Sequence, residues 1–128
     1  MKLLLDTHVV LWAAAGDARL SRTARKLLGG AAQELYFSAA SAWEIFLKTR
    51  AGRLKLADGP EKFLEAAVRN GGLTTLPVLW RHVMRLNELP DHHRDPFDRL
   101  LVAQCQSEKL AIVTADENIS RYAVDVIW

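Results

Sequence analysis

The sequence predicts an α/β fold, a central parallel β-sheet flanked by α-helices in a single domain. Short apolar runs of strand length alternate with amphipathic helical stretches from end to end, the pattern of a sheet whose crossovers are helices. No repeat or low-complexity segment interrupts that alternation. The chain has 128 residues, half of them apolar and a quarter charged, which gives room for one core and no second domain.

The elements follow in order. Lys2-Leu3-Leu4-Leu5 is an apolar strand closed by Asp6, and a helix then runs to Gly16. Ser21 reads as the N-cap of a helix ending at Gly29-Gly30. A strand near 34–37 leads to Ser38 or Ser41, either of which caps a helix reaching Gly52. Asp58-Gly59-Pro60 opens another helix, with proline where its missing N–H does no harm. After a strand near 73–76, Asp95-Pro96-Phe97-Asp98 starts a further helix, with an acceptor at the cap, proline at the first position and an acid at the third. Leu101, Val102 and Cys105 lie three, four and seven residues beyond Asp98, so Asp98 shares a stripe with the buried face. Strands near 110–113 and 124–127 complete the sheet.

Bulk properties exclude several classes. The longest apolar run, Val9 to Ala15, is too short to span a bilayer, so no membrane association and a cytoplasmic location are expected. Cys105 is the single cysteine, which rules out an intramolecular disulfide and a cysteine-based zinc site; core packing is its expected role. A net charge of +2 does not by itself point to nucleic acid. The bases are clustered, however: Arg19, Arg22, Arg25 and Lys26; Lys48, Arg50, Arg53 and Lys55; Arg81, Arg85, Arg94 and Arg99. Such clusters are more often solvated helix faces, but cationic rims around an acidic centre also suit a polyanion.

Four acids occupy places that this fold brings together. Asp6 and Asp116 each follow a strand, on the sheet edge where open parallel sheets bind ligands. Asp98 sits on an inward helix stripe, and the neighbours Trp43 and Phe46 imply that Glu44 is close to the core. Carboxylates packed together raise one another's pKa and stay ionised only beside a cation. An oxygen-only donor set favours Mg²⁺ or Mn²⁺ over zinc. Each acid also has an ordinary explanation. Asp6 caps a helix as readily as it binds metal, and Glu44 with Lys48 four residues on makes a surface helix pair, the stronger reading of Glu44 taken alone.

Other candidates surround these four. Asp95 reads as the cap, although either it or Asp98 is able to bind metal. His92 and His93 suit substrate contact or loop structure, because adjacent loop histidines rarely face one site together. His8 either holds phosphate or fills the crevice. Thr7 and Thr114, each beside a strand-end acid, are donors able to orient carboxylates, and ordinary capping explains them equally well. Arg99 joins them as an orienting or substrate-contacting residue. Trp12, Trp43, Trp80 and Trp128 read as core or interface residues, since nothing spaces them like an RNA-recognition sheet. No glycine-rich phosphate loop, Ser-His-Asp order or zinc spacing occurs.

Taken as a set, these segments resemble the PIN-domain family, and within it the ribonuclease toxins of VapBC-type toxin–antitoxin modules. The resemblance rests on Leu3-Leu4-Leu5-Asp6-Thr7-His8, on Ser41-Ala42-Trp43-Glu44-Ile45 with Lys48 and Gly52, on His92 to Gln104, and on Thr114-Ala115-Asp116. It spans essentially the whole chain, and the third block is the most specific. It implies a PIN fold, an acidic pocket binding Mg²⁺ or Mn²⁺, and hydrolysis of RNA. Matched by position, Asp6, Glu44, Asp98 and Asp116 correspond to the family's metal-binding acids. His8 replaces the small polar residue often found two positions after the first acid. Attack by water implies products with a 5′-phosphate and a 3′-hydroxyl. The resemblance further implies a small VapB-like antitoxin partner and a homodimer, with Trp12 and Leu20 as candidate contact residues. Two alternatives stand beside it. One is a non-catalytic binding module; the other is a phosphatase of the haloacid-dehalogenase type, disfavoured because His8 stands where a second aspartate belongs.

Overall fold

A computed structural model describes all residues from Met1 to Trp128. Five strands, β1 (Lys2–Leu5), β2 (Glu34–Ser38), β3 (Thr74–Leu76), β4 (Ala111–Val113) and β5 (Val126–Ile127), form one sheet in the order β3-β2-β1-β4-β5. Every pairing is parallel, with Leu4 opposite Tyr36 on one side and Ile112 on the other. The connections are helical: α1 (Thr7–Ala15), α2 (Arg22–Leu28), α3 (Ala39–Arg50), α4 (Pro60–Gly71), α5 (Trp80–Leu86) and α6 (Pro96–Glu108).

The central strand shows why its sequence is uninterruptedly apolar. Leu3 and Leu5 point into a cluster with Val9, Phe37 and Ile45, while Leu4 points the other way, towards Leu101, Val102 and Ile112. A parallel strand covered on both faces has no side for a polar residue. Cys105 is in the second cluster, and burial pushes its thiol up to about 12, so it is an inert core residue.

Local signals place the helix ends. Ser21 Oγ accepts from the Ala24 N–H, and Ser38 Oγ accepts from the Ala40 N–H; Ser38 is therefore the α3 cap, and Ser41 lies inside the helix, buried. Gly16 ends α1 in the left-handed region at φ 62°, where a side chain would be strained.

Helix α5 has no counterpart among the sequence expectations. Its cap position is Leu79, which offers no acceptor, and the Leu79 N–H is satisfied instead by Nδ1 of the buried His82 (3.0 Å). His82 Nε2 meets Glu108 Oε2 on α6 (3.0 Å), and Arg81 grips the same carboxylate through two bonds. These contacts fix the short helix and hold Glu108 down at about 2, chiefly through Arg81. Two surface expectations also change. Leu20 is buried and Trp12 half-buried against the core; the exposed large apolar side chains include Trp43, Phe46 and Leu47 on α3, Trp80, Val83 and Met84 on α5, and Trp128. No helix is long and apolar enough to cross a membrane.

Candidate active site

The order of strands reverses at β1: the chain moves outward through β2 and β3, then returns to lay β4 and β5 on the other side. At such a switch point the connections leaving neighbouring strands diverge, opening a crevice at their carboxyl ends. Asp6 follows β1 and Asp116 follows β4 by three residues, so both acids lie at this crevice.

Asp6 is nearly inaccessible and firmly oriented. Its Oδ1 accepts from the Thr7 N–H (2.7 Å) and its Oδ2 from the Thr114 hydroxyl (2.6 Å). The same Thr114 Oγ1 accepts from the Asp116 N–H (3.0 Å), tying the two strand-end acids together. Thr7 reaches the opposite way, donating to Glu44 Oε1 (2.6 Å), while Lys48 pairs with Glu44 Oε2 (2.9 Å). The helix-pair and pocket readings of Glu44 thus coexist.

His8 links the two loops. Its Nε2 accepts from the Ala115 N–H (3.2 Å), which leaves the proton on Nδ1, 3.4 Å from Asp6 Oδ2. Both ring nitrogens are engaged within the protein, so His8 is built into the crevice wall.

Asp95 and Asp98 divide as expected. The exposed Asp95 caps α6, accepting from the Phe97 and Asp98 N–H groups (2.9 and 3.1 Å), and Asp98 turns inward. There it meets Asp116 and His93: one ligand atom from each of the three lies within 4.8 Å of the others. His93 Nε2 is 3.4 Å from Asp98 Oδ2. The two histidines do separate, for His92 packs its ring edge-on against Tyr122 while His93 faces the acids.

Tyr122 is the residue that sequence reasoning missed. Its hydroxyl meets His93 Nδ1 (2.7 Å) and accepts from Arg99 (3.0 Å), which also donates to the carbonyls of Pro90 and His93. Arg99 therefore buttresses the histidine loop. An aromatic residue just after a 3₁₀ turn gives no sequence signal for such a role.

The electrostatics are unbalanced. Burial, then the charges of Asp6 and Asp95 and the carboxyl of Asp116, push Asp98 up to about 9. Asp6 is also raised, mainly by burial; His8, Thr114 and the Thr7 N–H pull against that, and Glu44 adds to it. Neither Lys nor Arg forms an ion pair with Asp6, Asp98 or Asp116. Left alone, the cluster holds a proton at neutral pH; a divalent cation would displace it. The carboxylate oxygens suit a hard ion of the magnesium or manganese type, as the resemblance implies, whereas the His93 nitrogen is a softer donor than the oxygen-only set the sequence led one to expect and favours manganese over magnesium.

Comparison with known proteins agrees with this architecture. No curated protein sequence matches the chain. Among solved structures, VapBC2 from Rickettsia felis, bound to a promoter DNA fragment, shares the fold with a TM-score of 0.73 at 13% identity, over 99% of this chain and 98% of that one. VapC20 of Mycobacterium tuberculosis, a toxin that cleaves the Sarcin-Ricin loop, gives 0.66 at 20% identity over 93% of each chain. The PIN-domain endonuclease Utp24 gives 0.54 at 13% identity, over 99% of this chain and 96% of that one. The PIN-domain family model matches residues 3–125, and the chain therefore belongs to the PIN-domain family.

Proposed function

We propose that the chain is a metal-dependent endoribonuclease that hydrolyses RNA phosphodiester bonds and serves as the toxin of a toxin–antitoxin pair. The observation that carries this reading is the cluster of Asp6, Asp98 and Asp116 at the sheet's switch point, in which two buried acids and a half-buried third have no Lys or Arg partner. Asp6, Asp98 and Asp116 are the direct metal-binding acids in this reading, with Mg²⁺ or Mn²⁺ as the ion and His93 as a further donor, while Glu44, the fourth acid of the resemblance, has both oxygens engaged by Thr7 and Lys48 and supports Asp6 from the α3 side. When bound, such an ion acidifies water for attack on phosphorus and offsets the charge that develops there.

The chain's own residues prepare that chemistry. Thr7 and Thr114 fix the direction of Glu44 and Asp6, so the carboxylates need little reorganisation. Lys48 neutralises Glu44, which limits repulsion at the α3 side of the pocket. His93 Nε2 stands at the pocket's edge beside Asp98, and the Tyr122 hydroxyl on Nδ1 holds it in that direction as a donor to the ion.

Support for the partners comes from the neighbours. Several are solved as VapBC or FitAB assemblies, so a VapB-like antitoxin is proposed for this chain, acting in the cytoplasm where RNA is the substrate. The exposed apolar faces of α3 and α5 support a homodimer.

The test is RNA cleavage with and without Mn²⁺, using the parent and Asp6→Asn. Cleavage that requires the ion, leaves 5′-phosphate ends and vanishes in the variant is the expected result. A Mn²⁺-induced rise in melting temperature equal in parent and variant would show that the ion binds elsewhere.

A further inference from the structure

We propose that His8, Trp12 and Trp128 form a stacking subsite for an unpaired RNA base beside the acidic pocket. This rests on the nuclease reading and adds to it a surface for the substrate's bases. Trp12 and Trp128 are 116 positions apart in sequence, yet their ring centroids lie 5.9 Å apart, with His8 at 4.6 Å from Trp12 and 6.3 Å from Trp128. The group is continuous with the pocket, because His8 Nδ1 is 3.4 Å from Asp6 Oδ2.

Packing accounts for part of this cluster. Trp12 leans on the core, and its other neighbour is Arg19, whose guanidinium sits 4.6 Å from the ring centroid and is held in place by two-oxygen contacts with Asp17. Packing does not account for Trp128, which stays 37% exposed, or for His8, whose side chain is 28% exposed. Aromatic surface left partly open next to a site for a phosphodiester, at the edge of a ring cluster whose inner side the Arg19–Asp17 pair holds in place, has the makings of a base-stacking platform. Stacking accepts any base, because every base has a π-face. His8 joins the pocket and the rings, since it touches Asp6 on one side and Trp12 on the other.

The test uses the full chain, single-stranded oligoadenylate as probe, and EDTA so that nothing is cut. Trp128→Leu is expected to weaken oligonucleotide binding roughly tenfold, within the range that loss of one stacked base produces, and Trp128→Phe to restore most of it. Binding by Trp128→Leu within twofold of the parent overturns the proposal. A second measurement leaves the cluster untouched: in Trp43→Phe/Trp80→Phe only Trp12 and Trp128 fluoresce, and saturating oligoadenylate is expected to quench them. Unchanged emission at saturation also overturns the proposal. RNA cleavage by the parent in Mn²⁺ separates the two readings: cleavage with silent tryptophans removes the subsite alone, whereas neither cleavage nor binding removes both.

Discussion

Asp98→Asn tests the charge imbalance directly, because in the metal-free protein it should increase stability by an amount that grows with pH. The folded carboxyl sits at about 9 against an ordinary 3.8. A raised folded pKa means that the folded state keeps a proton which the unfolded chain has released. Stability is then fully present below about pH 4 and is lost progressively as pH rises towards 9. At pH 7, about 3 units above the unfolded value, the loss is on the order of 4 kcal/mol at ~1.4 kcal/mol per unit. Asparagine has no proton to release. Because losing the carboxyl's own contacts offsets part of this, a net gain of about 2 kcal/mol at pH 7 is expected, raising the melting temperature by roughly 6 °C or more. The assay is a series of thermal melts from pH 4.5 to 8.5 in EDTA for parent and variant, in which groups elsewhere cancel in the difference. Mn²⁺ is then added, and only the parent should gain. Parallel pH profiles, or an asparagine variant less stable than the parent at pH 8, would refute the account of a self-repelling cluster.

Three further perturbations separate roles that lie close together. Asp95→Asn should leave RNA cleavage within a few-fold of the parent, since asparagine caps as well as aspartate, whereas Asp98→Asn should abolish it; equal losses would give Asp95 a place at the ion or substrate. Neutralising Arg50 and Arg53, both exposed and without an ion-pair partner, should reduce the slope of log affinity against log salt by about one to two without altering Mn²⁺ binding; an unchanged slope makes them a solvated helix end. Glu108→Ala should lower stability by about 1 kcal/mol after discounting for solvent, with cleavage intact. Because that carboxyl is depressed from 4.5 to about 2, its contribution is present above pH 4.5 and disappears as pH falls through 2, so the gap between parent and variant should close in acid.

What could be read from the sequence was local. The alternation of Leu3, Leu4 and Leu5 between two cores follows from a parallel strand's period, and Asp95 and Asp98 separate by cap geometry and helical spacing alone. Ser38 and Ser41 stayed ambiguous because both are cap residues, and only the backbone distinguishes them. Helix α5 escaped because its N-terminus is satisfied by His82 in place of a capping side chain, and its anchor, Glu108, is 26 residues away from that histidine. Long-range orientation was equally invisible at His93. Its direction is set by Tyr122, 29 residues on, so no local pattern distinguishes it from His92.

Glu44 shows how a surface signal and a pocket signal can share one residue. Its pairing with Lys48 takes up one oxygen and most of its charge, and Thr7 takes up the other. The uncompensated charge therefore lies with Asp6, Asp98 and Asp116, on the side of the pocket formed by the ends of β1 and β4 and the start of α6. That is the side on which the proposed ion would sit, and His93 also points there. Glu44 then acts on Asp6 through field and position: its charge helps raise Asp6, and its bond to Thr7 steadies the residue whose N–H holds Asp6 Oδ1. An acid that looks satisfied by its helix neighbour is in this way part of the balance that leaves the adjacent carboxylates short of positive charge.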